Sequence, residues 1–255
     1  GSSLPPSILT RHPHLKGQDF FATGVSLVMH PRSPQVPTVH MNYRYFEAGE
    51  GGADLTPYIL NRDQSRLFHD AHRRALDAHH PDLYPVFKLW CDEYFYIKHR
   101  QEHRGIGGIF FDYQDGDPTR HLYRGEQAEG KAAKHEKGLG VSMNWEQLYA
   151  MAGAAGDAFL AAYIPIVQAN KGLAYSEEER QWQLYRRGRY VEFNLVYDRG
   201  TAFGLQTGGR TESILMSLPP LVRWEYCYQQ TESEKQLTQV LSQPQDWLAA
   251  GEEQQ

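Results

Sequence analysis

Cysteine is scarce in this chain: Cys91 and Cys227 are the only two in 255 residues. They make no disulfide framework and match no zinc-ligand spacing, so we expect both to be reduced and packed, as in an intracellular protein. An excess of positive charge is missing too. The formal net charge of −5 excludes the basic footprint of a nucleic-acid-binding surface. No apolar run is both long and clean. The best, Met151 to Ala169, is interrupted by Asp157, Pro165 and Gln168 and reads as a buried core helix, not a transmembrane segment. No signal peptide opens the sequence as given. Internal repeats, a P-loop, a dinucleotide fingerprint and a serine or cysteine nucleophile motif are all lacking.

Aromatic residues, in contrast, are plentiful. Sixteen tyrosines and eleven phenylalanines, within 40% hydrophobic content, exclude disorder. They suit sheet packing or a cavity for a large planar ligand. Residues 1–255 read as one domain, with 1–20 an extended arm and 113–140 a polar surface insertion. Strands are expected at 24–30, 38–47 and 106–112, with a loop at 49–52. Helices are expected over 64–80, over 83–104, from Asn144 to about Asn170, and after Ser176, where Glu179 completes a capping box. A second strand group is expected at 189–198, 201–206, 212–217 and 221–226, before a helical tail at 237–248. Consecutive strands with helices between the two groups predict an α+β fold with a large antiparallel β-sheet.

The first two strands carry the most informative pattern. At period two, His40, Asn42 and Arg44 share one face and Val39, Met41, Tyr43 and Tyr45 the other. Ser26 and His30 likewise oppose Val25, Leu27 and Met29. Pro31, Pro34 and Pro37 force a turn or loop between the two strands. Two imidazoles, an amide, a hydroxyl and a guanidinium thus share one surface. Two readings of it stand: a site of chemistry, or a solvated outer face.

Other constellations have similar paired readings. His30, His40, His69 and His99 supply four imidazoles for a transition metal, yet their spacing matches no metal motif; surface or hydrogen-bonded histidines are the alternative. Asp54, in Gly-Gly-Ala-Asp-Leu-Thr-Pro, either forms a turn or meets a ligand where the glycines let backbone approach. Gly208, Gly209 and Arg210 expose backbone N–H groups beside a guanidinium, which suits a carboxylate or phosphate. Arginines also cluster at Arg186, Arg187 and Arg189 and around Arg100 and Arg104. These suit anionic small molecules or ordinary salt bridges.

Several blocks resemble oxygen-dependent coproporphyrinogen III oxidases: residues 24–32 (Gly-Val-Ser-Leu-Val-Met-His-Pro-Arg), 37–47 (Pro-Thr-Val-His-Met-Asn-Tyr-Arg-Tyr-Phe-Glu) and 51–57. Residues 84–95, 104–112, 187–200 and 208–217 continue the resemblance. It implies a flat antiparallel sheet flanked by helices on both faces, and a homodimer with contacts within 190–225. It also implies oxidative decarboxylation of two propionates of coproporphyrinogen III to vinyl groups, giving protoporphyrinogen IX with O2 as oxidant. By motif, His40 matches a proton donor and Asp54 a carboxylate engaging pyrrole nitrogens. Ser26, Asn42, Arg44, Gly208, Gly209 and Arg210 match substrate contacts. His30, His40, His69 and His99 match metal-ligand positions of some members, with manganese one divalent candidate; no organic cofactor is implied. The family's paired tryptophans and phenylalanine before Gly-Gly-x-Asp are absent here, as is its N-terminal glycine-rich region: either the sequence as given lacks segments of the natural protein or this member has lost them. A cytoplasmic location is expected, or a mitochondrial one if a targeting segment precedes the chain. A non-catalytic tetrapyrrole carrier and a metal-dependent oxygenase are the alternative functions.

Overall fold

A computed structural model describes residues 21–46, 48–114, 143–206 and 208–249. The expected arm at 1–20 and nearly all of the expected insertion at 113–140 lie outside these residues. Four strands form one antiparallel sheet in the order β1 (Ala22–Met29), β2 (Thr38–Phe46), β3 (Ala48–Thr56) and β6 (Gly107–Gln114). A two-stranded ribbon, β4 (Tyr96–Ile97) with β5 (Glu102–His103), lies between β3 and β6 in the chain. Around them are α1 (Arg62–Asp77), α2 (Leu83–Tyr94), α3 (Trp145–Asn170) and α4 (Glu177–Val196). The shorter α5 (Arg199–Gln206), α6 (Thr211–Leu215) and α7 (Glu232–Leu241) follow. The fold is α+β, as expected.

Period-two alternation gives the sheet two unlike faces. Val39, Ala53 and Leu55 pack under Phe68 of α1 and Phe159, Ala162, Tyr163 and Ile166 of α3. Ile109 and Phe111 continue this dry face beneath Phe87 of α2 and Leu148, Met151 and Ala155 of α3. Helix α3 is long and apolar enough by composition to cross a membrane, but one side of it is this contact with the sheet. The opposite face is covered in part by α4, whose Phe193 packs with Phe95 and Phe110. Helix α2 wraps the β6 edge, stacking Phe87 on Phe111 on one side and Tyr94 on Phe110 on the other.

Four expectations are corrected. Cys227, expected to be packed, is exposed, whereas Cys91 is buried. Residues 49–52, expected as a loop, run inside β3. A Cβ on Gly51 would lie 2.6 Å from the Tyr43 ring and 2.8 Å from Phe111, so glycine here is a packing requirement within a strand. The helix expected over 83–104 ends at Tyr94, and the ribbon β4–β5 follows with Gln101 at φ 55° in its turn. The second strand group is helical at 189–196, 201–206 and 211–215, and 221–226 forms no strand. Tyr190 to Val196 alternates like a strand, but in a helical frame Trp182, Arg186, Arg189, Tyr190 and Phe193 share one buried stripe. The Ser176–Glu179 capping box starts that helix, and once started it propagates through ambiguous residues.

Candidate active site

The β2–β3 register sets His40 opposite Asp54, and the β3–β6 register sets Asp54 opposite Gly108. A Cβ on Gly108 would fall 2.0 Å from the Ala53 carbonyl oxygen, so the sheet closes beside Asp54 only because no side chain stands there. His40 Nδ1 lies 2.8 Å from Asp54 Oδ1. From the segment after β5, Arg104 donates through Nη2 to Asp54 Oδ1 at 2.9 Å and Oδ2 at 2.8 Å. Its Nη1 donates to Asn194 Oδ1 of α4 at 2.9 Å. The guanidinium is boxed by the rings of Phe95, Tyr190 and Phe193, at 4.1, 4.3 and 4.9 Å from their centroids.

Asp54 and Arg104 are both about 3% exposed, so their charges depend on one another. Burial pushes the Asp54 carboxyl up, but the Arg104 charge and the bonds from His40 and Arg104 outweigh it and hold it below the usual carboxylate range. Burial likewise works against the Arg104 charge, and Asp54 reverses that effect. An ionised carboxylate only accepts hydrogen bonds, so His40 carries its hydrogen on Nδ1. Nε2 has no hydrogen-bond partner among the described residues and is the nitrogen left for a ligand. Asp54 is not a turn residue, and both of its oxygens are occupied inside the protein.

The four histidines do not assemble. His30 Nε2 donates to the Ser217 carbonyl at 2.9 Å, and its Nδ1 lies 3.3 Å from the Thr38 hydroxyl. Burial drives it to about 4, so it is neutral. His69 is sealed in the core between the Tyr84 hydroxyl, 2.9 Å from Nδ1, and the Ile106 carbonyl, 3.0 Å from Nε2; burial drives it to about 3. His99 is exposed, with Nδ1 2.7 Å from the Tyr197 hydroxyl and Nε2 2.9 Å from Glu192. The sequence-based four-histidine metal set is therefore corrected: each ring is committed to different neighbours. Among the described residues no three His, Cys, Asp or Glu side chains cluster as metal ligands would.

Beyond His40 the polar face opens. The row Ser26, Asn42, Gly52 and Phe110 crosses the four strands, with Ser26 exposed and Asn42 half-buried. Arg44 is exposed in the next row, opposite Gly24. Phe110 lies flat on Tyr94, centroids 4.2 Å apart, and Arg199 reaches over Tyr94 to bond Asp112 at 3.1 Å. Gly208, Gly209 and Arg210 are exposed between α5 and α6, where Gly208 takes φ 70° and Arg210 precedes the first turn of α6. Just past α6, Ser217 meets His30. Ser26, Asn42, Arg44 and His40 thus share one face. The 208–210 segment is tied towards that face through Ser217.

Arg186 and Arg189 face inward onto buried Glu102, at 2.9 and 3.0 Å, and Arg187 donates to the Pro31 carbonyl. This arginine cluster is structural and offers nothing to an anionic ligand. The reading of the sequence missed Arg104 as a partner of Asp54, and Asn194 behind it. The available signal was an arginine directly before Gly105-Ile106-Gly107-Gly108, at the mouth of a buried strand.

A sequence model of the family described as coproporphyrinogen III oxidase matches residues 1–247. A relative from Synechococcus sp. (strain CC9605), named oxygen-dependent coproporphyrinogen-III oxidase, is 59% identical over 97% of this chain and 70% of its own length. One from Prochlorococcus marinus (strain NATL2A), with the same name, is 57% identical over 97% of this chain and 73% of its own. A third, from Prochlorococcus marinus (strain MIT 9301), is 55% identical over 97% and 74%.

Proposed function

The chain belongs to the coproporphyrinogen III oxidase family, and from that premise we propose that it oxidatively decarboxylates two propionates of coproporphyrinogen III to vinyl groups. Each propionate, as its carboxylate, loses carbon dioxide and one β-hydrogen with two electrons. Dioxygen accepts those electrons, and with that hydrogen and one further proton it leaves as hydrogen peroxide. The electron-rich pyrrole relays the electrons, so the proposal calls for no organic cofactor. The four-histidine set does not fit a metal, because His30, His69 and His99 are each bonded to different neighbours.

The observation that carries the reading is the His40–Asp54 pair, 2.8 Å apart, at the end of an open polar face. His40, carrying a hydrogen on each ring nitrogen, delivers from Nε2 the proton that dioxygen requires and is left in the Nδ1–H form against Asp54, a transfer worth roughly 10²–10⁴ in rate. Arg44 clamps a propionate through parallel bonds, helped by Arg210, and Ser26 and Asn42 bond further propionate or pyrrole groups. Ser26 and Gly52, on either side of Asn42, are the small residues of the row that crosses this face. We further propose a homodimer with contacts within 190–225, where Leu195, Val196, Met216, Leu221 and Trp224 are exposed.

Anaerobically prepared coproporphyrinogen III, mixed with the chain and then with oxygen, tests the proposal. Two O2 consumed and two CO2 released per protoporphyrinogen formed support it. Tight binding without oxygen uptake identifies a carrier instead, and turnover that chelator treatment abolishes identifies a metal-dependent oxygenase.

A further inference from the structure

We propose that Arg104 is a positioning residue: it holds the Asp54 carboxylate against His40 Nδ1, so that the opposite nitrogen, Nε2, meets the substrate. The inference rests on the reading of His40 as the proton-handling group. It gives Asp54 a role turned inward, on the imidazole, and not outward on the pyrrole nitrogens.

Three observations carry it. First, the Asp54 oxygens are already filled: Oδ1 by His40 and Arg104, Oδ2 by Arg104, with the side chain 3% exposed. With three hydrogen bonds made inside the protein and almost no exposure, the carboxylate is turned towards His40 and Arg104. Second, Arg104 is itself fixed from all sides by three aromatic rings and by Asn194 on α4. That box sets the guanidinium plane and, through it, the rotamer of Asp54. Third, the arrangement is poor as a stabilising device. Arg104 Nε is buried with no partner among the described residues. Buried ion pairs contribute little compared with apolar side chains of the same volume. What the pair does supply is direction: an ionised, oriented acceptor permits only the Nδ1–H form of neutral His40.

Removing Arg104 has a definite chemical consequence. The buried Asp54 carboxyl loses its counter-charge and takes up a proton. As an acid it donates to His40 Nδ1, and the imidazole hydrogen moves to Nε2. Neutral His40 then presents a hydrogen where it formerly presented a lone pair.

The full chain, labelled with 15N-imidazole histidine, reports the protonated nitrogen of His40 by its chemical shift, assigned by loss of the signal in His40→Ala. In the wild type the hydrogen resides on Nδ1. In Arg104→Gln it resides on Nε2, kcat falls about 100-fold and KM stays within about threefold. Adding Asp54→Asn to Arg104→Gln costs no more than the larger single loss, because both act through one imidazole. A folded Arg104→Gln that keeps the hydrogen on Nδ1, with losses that multiply with those of Asp54→Asn, overturns the proposal and leaves Arg104 a structural residue. If Arg104→Gln does not fold, Arg104→Lys carries the test. Its ammonium keeps the charge but not the fork, so Nδ1–H persists and kcat falls about tenfold; undiminished turnover in it overturns the proposal. His40→Ala separates the two levels. Unimpaired turnover there defeats the reading of His40 as the proton-handling group, whatever the nitrogen shifts show for Arg104.

Discussion

The two faces of the sheet are built from the same strands, yet they solve opposite problems. On one, Val39, Leu55, Ile109 and Phe111 are excluded from water under α1, α2 and α3. On the other, His40, Asn42 and Arg44 alternate with them residue by residue, and the charge buried there is paired, Asp54 against Arg104. The apolar face supplies stability through area and close fit. The polar face contributes little net stability, because desolvating Asp54 and Arg104 offsets most of their attraction. What it gains is orientation. The comparison predicts that substitutions on the two faces divide cleanly between stability and turnover.

The largest effect belongs to the dry face. Phe111 is 1% exposed and stacked on Phe87 at 4.7 Å. Phe111→Ala should lower unfolding free energy by about 3–5 kcal/mol, through lost transfer energy and a residual cavity. Urea titration measures it. Turnover per folded molecule should stay within about threefold of wild type, and a selective collapse of turnover would break the division between the faces.

Next comes His40→Ala on the polar face. The His40 side chain is 28% exposed, so its loss should leave the urea midpoint nearly unchanged. Turnover should fall about 100-fold, equivalent to about 2.7 kcal/mol of barrier. Oxygen uptake with coproporphyrinogen III reads the outcome.

How far these faces could be read from residues alone depended on which contacts were local. The alternation in β1 and β2 is a property of adjacent residues, so the polar set His40, Asn42 and Arg44 emerged correctly. The partnership of His40 with Asp54 did not, because it needs the β2–β3 register. That register runs through Gly51 and Gly52, which read as a loop until Tyr43 and Phe111 are seen against Gly51 and the Ile109 carbonyl against Gly52. The 190–196 stretch failed for the opposite reason. Val191, Phe193 and Leu195 alternate well enough for a strand, and only packing against Phe95 and Arg104 selects the helix. The histidine set failed because each ring's partner is distant in sequence: Ser217 for His30, Ile106 for His69, Glu192 for His99.

The buried histidines sharpen the contrast as pH falls. His69 has its folded value lowered from 6.5 to about 3. Below pH 6.5 the unfolded chain therefore binds a proton that the folded chain refuses, so stability falls with falling pH down to about 3. Between pH 7 and pH 5 the loss from this residue is about 2 kcal/mol. His30 and His72, both lowered to about 4, act in the same direction. Urea unfolding at the two pH values measures the sum, and His69→Gln should make the dependence shallower by its own share. An unchanged slope would mean that His69 is not held neutral in the fold.

The smallest effect tests whether the open end of the polar face binds or reacts. Arg44 is exposed and lies two rows away from the His40–Asp54 pair, beyond Asn42 and Gly52. A clamp of this kind holds substrate and transition state alike, because the propionate it grips keeps its charge until carbon dioxide leaves. Arg44→Lys keeps that charge but replaces a planar fork with a single point, a loss of about 1 kcal/mol. KM should therefore rise about fivefold with kcat unchanged, the signature of uniform binding. A fall in kcat at constant KM would move Arg44 from the binding end of the face to its reacting end, beside His40.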